Sequence, residues 1–176
     1  MALALAVVLA GCGGGGEKVG SGAPTAPSGD LLVTSPDVAA GGRLAAADTC
    51  AGAGRRPPLR WSPVPAAARE LAVVVIDPDA GGFVHWTAYG ISRGTRALGA
   101  AALPAGAREG ENSFGDRGWG APCPPKGKGA HRYEFVVYWL RRPSGLEAGA
   151  KPREALERIG ERAGGAGRLV ARFGRG

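Results

Sequence analysis

The chain has 176 residues, enough for one domain with a sizeable core and short for two. A hydrophobic content of 44% excludes a disordered chain, and 32 glycines with 14 prolines favour many turns over long helices. The net charge of +7 is uneven, with nine Lys/Arg against four Glu from Arg141 onward; without interleaved aromatic residues this reads as a solvated surface, not a nucleic-acid site.

Residues 2–11, ALALAVVLAG, are all apolar or small. Ten residues are too few to span a bilayer as a helix and suit the apolar region of a signal peptide. The run ends in LAGC, Leu9 to Cys12, which resembles the bacterial lipobox. The expected organisation is a signal peptide over 1–11, a lipidated Cys12, and a tether to residue 29. Residues 13–29, GGGGEKVGSGAPTAPSG, read as a flexible coil spanning roughly 20–25 Å. The domain then covers 30–176.

Within the domain the pattern is mostly β. LLVTS (31–35) is a short strand candidate, and ELAVVVID (70–77) is a continuous apolar run suited to a strand buried on both faces. FVHWTAYGI (83–91) and YEFVVYWL (133–140) are rich in aromatic and β-branched residues. Turn signals separate them: DPDAGG, SRGTRALG and PCPPKGKG. One helix is expected over 152–163, with Pro152 in its first turn and Leu156, Ile159 and Ala163 along one face. RLVARF (168–173) is a last strand candidate.

The chain has only two histidines, and both sit on strand-like segments. Period-two geometry puts His85 on a face with Phe83, Thr87, Tyr89 and Ile91, and His131 on a face with Tyr133, Phe135, Val137 and Trp139. Asp77 and Asp79 flank Pro78 where an apolar strand stops.

These residues are familiar as a set. PPLRW (57–61), VVVIDPDA (73–80), FVHW (83–86) and ENSFGDRGWGAPCPPKGKGAHRYEFVVY (111–138) occur in an order that resembles the phosphatidylethanolamine-binding protein family, including its bacterial kinase-inhibitor-like branch. The resemblance implies two packed β-sheets with a carboxy-terminal helix and a small anion pocket at one edge of the central sheet. Carried over by motif, it implies a ligand set of Asp77, His85, His131 and Tyr133, with Pro124 and Pro125 in the loop that walls the pocket. It also implies a structural role for Asp79, paired with Arg132 beneath the site. Three positions depart from the family pattern: Gly81 stands for a proline, Arg56 for a serine, and Trp119 for a tyrosine. From these we expect a looser wall, an added charge near a strand entry, and an altered rim.

The chemistry expected of such a site is anion binding: imidazoles and a tyrosine hydroxyl donate hydrogen bonds, and loop amides add more. Asp77 repels an anion, so it is expected either to orient His85 or to receive a ligand ammonium. The preferred reading is a non-catalytic module for small phosphorylated molecules or phospholipid headgroups, with no cofactor. A kinase- or protease-inhibiting interaction module is the alternative that the resemblance implies. A two-histidine, one-carboxylate metal hydrolase built on Asp77, His85 and His131 is a third. No nucleophile elbow, phosphate-binding P-loop or C-x-x-C is present. Once Cys12 is lipidated, Cys50 and Cys123 are the remaining cysteines, and an oxidising compartment favours a disulfide between them. Two buried free thiols, or a reactive Cys123 at the pocket, are the competing readings.

The amino-terminal reading predicts a mature chain that begins at a diacylated Cys12. Mass spectrometry of the native amino terminus checks it; an intact Met1, or an unmodified Cys12 in a soluble fraction, would overturn it.

Overall fold

The computed structural model describes residues 22–25, 31–38 and 41–176. The expected signal segment, Cys12 and most of the 13–29 tether lie outside those residues. In chain order the elements are β1 (Val33–Thr34), β2 (Leu59–Trp61), β3 (Glu70–Asp77), β4 (Phe83–Ile91), β5 (Ala97–Leu98), β6 (Arg108–Glu109), β7 (His131–Leu140), α1 (Pro152–Arg162) and β8 (Ala163–Phe173). They form a small antiparallel sheet, β1-β2-β5, and a large one, β6-β4-β3-β7-β8.

The protein is mainly β, as expected, in three layers: small sheet, large sheet and helix. All eight residues of β3 are buried because it lies between β4 and β7 and is covered on both sides. Leu71, Val73 and Val75 face the core shared with the small sheet, and Ala72, Val74 and Ile76 face the core under α1. The helix contributes Ala155, Leu156 and Ile159 to that second core, the face its 3.6-residue period marked.

Four strands differ from the sequence reading. The short strands β2, β5 and β6 are new, because two or three residues carry no readable period. β8 begins at Ala163 instead of 168, passing through AGGAG directly after the helix. Glycine is a poor strand former, yet here it makes room: a Cβ at Gly164 would overlap the Trp139 ring, and one at Gly167 would overlap Leu31. In the expected tether, Ala23 packs against the helix-side core and Pro24 O accepts a hydrogen bond of 2.7 Å from Tyr138 Oη. A buried phenol needs an acceptor, and this backbone carbonyl supplies it.

Strict alternation also fails in β4. Against β3, Val75 pairs with Trp86 but Ile76 pairs with Val84, so His85 is an extra residue in a β-bulge. A second shift lies between the Val73–Ala88 and Leu71–Ile91 pairs, where Gly90 takes φ 69° and donates its N–H to Glu70 Oε1 at 2.9 Å. Tyr89 consequently belongs to the helix-side core while Trp86, Ala88 and Ile91 face the small sheet. The expected shared face of His85 and Tyr89 is therefore corrected: the bulge at His85 changes the phase of the residues that follow, and the second shift returns Ile91 to the small-sheet side. β7 has no irregularity between His131 and Trp139, and its expected face holds.

Cys50 and Cys123 form a disulfide with Cα atoms 5.3 Å apart, and Cys50 N–H donates to Pro122 O at 3.0 Å. The bridge ties the 122–125 segment to the loop that follows β1. Arg56, expected as a charge near a strand entry, is instead buried. Its guanidinium lies over the Trp86 ring at 4.4 Å, bonds the carbonyls of Gly99 and Ala101, and sits 3.4 Å from Glu109.

Two outcomes follow from this packing. Replacing both Cys50 and Cys123 by Ser is expected to cost about 4 kcal/mol on the chain-entropy account of a bridge closing 73 residues of sequence. Urea unfolding measures the loss, and titration of two free thiols in the denatured, non-reduced mature protein would contradict the bridge. Gly164→Ala is expected to destabilise by roughly 1–3 kcal/mol through overpacking against Trp139, read in the same unfolding experiment.

Candidate functional site

The end of β3 and the starts of β4 and β7 meet at one edge of the large sheet, and the sequence-marked residues gather there. Asp77, the last residue of β3, is buried and uses both carboxylate oxygens. Oδ1 accepts from Ala80 N–H at 3.0 Å, capping the short 3-10 turn Pro78–Ala80. Oδ2 lies 2.8 Å from His131 Nδ1, which donates to it. Asp77 thus orients His131, which corrects one of its two expected roles, that of orienting His85, because antiparallel β3 and β7 place the Asp77 and His131 side chains on one face at the strand ends.

His85 is held from the other side. Its Nδ1 is 2.8 Å from Gly120 O, and its own carbonyl accepts from Gly120 N–H at 2.8 Å. A carbonyl only accepts, so Nδ1 carries the hydrogen. The bulge leaves the His85 backbone out of register with β3, and Gly120 serves both the carbonyl and the ring. A Cβ at Gly120 would meet the Phe114 ring at 2.5 Å, so a side chain here would displace that ring. Burial is the main influence on the His85 pKa and moves it below 6.5, with the Gly120 bond and the Asp77 charge opposing. At neutral pH His85 is an uncharged ring with a lone pair on Nε2. The expectation that both imidazoles donate is corrected for this state: His85 spends its one hydrogen on Gly120.

Tyr133 is fully buried, its ring edge-on to His85 at 5.3 Å, and its hydroxyl lies beside the Asp77 carboxylate without forming a hydrogen bond of good geometry. Burial first, then the Asp77 charge, push its pKa well above 10. Asp79 sits beneath, where Arg132 bonds it through Nη2 at 2.7 Å, through Nε and through the backbone N–H at 2.8 Å. Those bonds hold the Asp79 pKa at about 2. Gly81 takes φ 70°, a conformation closed to proline, so the departure from the family residue matches a different turn. Trp119 does not form the rim: it stacks on Phe135 behind His85 and donates to Gly54 O at 3.0 Å.

These side chains enclose a cavity of about 120 Å³. All six expected ligand-set residues (Asp77, His85, Pro124, Pro125, His131 and Tyr133) line it, together with Ala80, Phe83, Phe114 and Cys123. The volume is small beside the ~300–1,000 Å³ of sites that enclose drug-sized ligands, and suits a headgroup-sized one. Sequence reasoning missed Phe114, a half-exposed ring packed on Phe83 at 4.7 Å; its place next to Ser113 in a loop carries no periodic signal. It also missed Arg175, whose Nε donates to Pro124 O at 2.7 Å and whose carbonyl accepts from Gly127 N–H, pinning the wall loop. Ser113 is buried, and its Oγ accepts from Val84 N–H at 3.0 Å. Among the described residues no group of three or more His, Cys, Asp and Glu is arranged to hold a metal ion. Asp77 Oδ2 is taken by His131, and His85 turns its Nδ1 to Gly120.

Comparison with known proteins gives a consistent result. A Mycobacterium tuberculosis protein named "Putative lipoprotein LppC" is 40% identical over 186 aligned residues, covering 97% of this chain and 92% of that one. A Methanothermobacter thermautotrophicus protein named UPF0098 is 37% identical over 142, covering 77% and 93%. The crystal structure of Escherichia coli YbcL, titled a new member of the mammalian PEBP family, superposes with a TM-score of 0.79 at 27% identity, covering 84% of this chain and all of that one. The profile of the phosphatidylethanolamine-binding protein family matches residues 34–174, and the chain belongs to that family.

Proposed function

We propose that this protein is an exported, lipid-anchored binding module whose pocket takes the phosphate of a small phosphorylated molecule or phospholipid headgroup. One observation carries the reading. Two imidazoles whose Nδ1 atoms are committed elsewhere, and a buried hydroxyl that makes no well-formed hydrogen bond within the protein, line one cavity whose other walls are largely apolar. Buried polar groups are normally satisfied, and a tetrahedral oxyanion meets three convergent groups at once. His131, held by Asp77, donates through Nε2 when protonated, and Tyr133 Oη donates without titrating. Apolar walls strengthen each bond by excluding water. We take the module to be non-catalytic: Ser113 serves β4, and Cys123 is in the disulfide.

Anchoring through Cys12 on the outer face of the cytoplasmic membrane is supported by LAGC and by the lipoprotein name of the mycobacterial relative. No helix among the described residues is long and apolar enough to cross a membrane.

Calorimetric titration with phosphoethanolamine tests the pocket. His131→Ala is expected to weaken binding by at least about 1.5 kcal/mol, the low end for a charge-assisted bond, and Tyr133→Phe by about 1 kcal/mol. Wild-type affinity in both folded variants would overturn the site.

A further inference from the structure

The hydrogen-bond ledger of the pocket makes a distinction among phosphates that the family resemblance does not. His85 has one hydrogen in its neutral form, and Gly120 O holds it on Nδ1 at 2.8 Å. The Gly120 N–H also donates to the His85 carbonyl, so the ring and the backbone of His85 are fixed on the same residue. Ring packing confines it further: Phe83, Phe114 and Tyr133 lie 5.1, 5.8 and 5.3 Å away, centroid to centroid. Turning the ring over would set Cδ2–H against the carbonyl oxygen, and moving the hydrogen to Nε2 would set a bare Nδ1 there; either change loses a buried bond. Neutral His85 therefore offers a ligand a lone pair at Nε2, and an oxyanion oxygen facing it is repelled unless a proton lies between them.

We infer that the pocket selects tetrahedral oxyanions that bring their own proton, namely phosphomonoesters and phosphonates as monoanions, over phosphodiesters and sulfate. The inference rests on the phosphate-site reading above. In the complex the ligand P–OH donates to His85 Nε2, while the unprotonated oxygens accept from Tyr133 Oη and His131. A phosphodiester, including an intact phospholipid headgroup, has no P–OH. Sulfate near neutral pH has none either. Both bind well only after His85 takes a proton from solvent, which its burial among aromatic rings opposes. The titratable groups that act on His85 are Asp77 from β3 and His131 from β7; Tyr133 faces it as a neutral phenol, and Phe83, Phe114 and Trp119 carry no charge. His131 faces every probe, so the selection is read from differences between ligands.

Calorimetry on the intact domain with four probes tests this: phosphoethanolamine, methylphosphonate, glycerophosphoethanolamine and sulfate, from pH 5.5 to 8. The first and third share an ammonium and differ in monoester against diester, which also separates a free phosphorylated metabolite from a lipid headgroup as ligand. At pH 6 a phosphomonoester is about half monoanion. There glycerophosphoethanolamine and sulfate are expected to bind at least about ten-fold more weakly than phosphoethanolamine, a difference of roughly 1.4 kcal/mol. As pH rises, sulfate affinity falls across the whole range, phosphoethanolamine falls above its second ionisation, and methylphosphonate, which ionises later, holds its affinity to higher pH. His85→Gln supplies a side-chain N–H that does not titrate, so sulfate is expected to close to within about three-fold of the monoester, whereas His131→Gln keeps the preference. Equal affinities with superimposed pH profiles in the wild type would overturn the selection and leave the phosphate reading standing. No binding by any of the four probes would overturn both.

Discussion

The site depends on one unpaired residue in a strand. His85 is the extra residue of the bulge between Val84 and Trp86, and its backbone has no place in the β3 ladder. Gly120 takes over that backbone and the ring together, with two bonds of 2.8 Å. This anchors the 118–125 loop to β4 and fixes which nitrogen of His85 carries hydrogen. It also turns the imidazole toward the layer that holds Tyr133 and Asp77. A regular β4 in the Trp86 phase would have sent this side chain to the helix side, away from its partners.

The opposite wall is built by a different device. Asp77 ends β3 and divides its two oxygens between the turn that follows and His131 on β7. A buried carboxylate is costly unless its lone pairs are filled, and here a backbone N–H and an imidazole N–H fill them. Asp79, two residues on, is half in solvent and paired with Arg132. Two aspartates in one DPD motif thus take opposite roles: one orients a ring at the cavity, the other braces the turn against β7. The remaining wall is held from outside by the Cys50–Cys123 bridge and by Arg175, so the pocket loop is fastened at both ends.

The two histidines are consequently unlike, although the sequence presents them as a pair. His131 has a carboxylate behind it and is partly exposed, so protonation leaves it in an ion pair. His85 has a carbonyl behind it and is buried, so protonation places a charge among aromatic rings. A carboxylate compensates a charge fully, whereas a carbonyl dipole does so only in part. That asymmetry makes the cavity a set of unequal contacts and not a uniform anion hole.

Much of this is legible in the sequence. The continuous apolar run of β3, the aromatic-rich β4 and β7, and the amphipathic helix follow from period and composition, and the DPD, HW, PCPP and HRY motifs named every residue of the expected ligand set. The cysteine count pointed to the bridge. What stayed hidden has a common cause: it depends on contacts between residues far apart in the chain. The bulge at His85 is a mismatch between two strands, which neither strand records alone. Orienting His85, one of the two roles expected of Asp77, gives way because antiparallel pairing brings in His131 from 54 residues away. Phe114 and Arg175 reach the pocket from loop and terminus, where no periodicity marks a side chain's direction. The glycine-rich start of β8 reads as a turn because its strand is licensed by Trp139 and Leu31, which need the space a Cβ would fill. Residue types and local period thus determined which groups were available for anion chemistry. Strand register and loop closure decided which nitrogen faces the cavity, because a hydrogen bond assigns a proton only once its partner is in place.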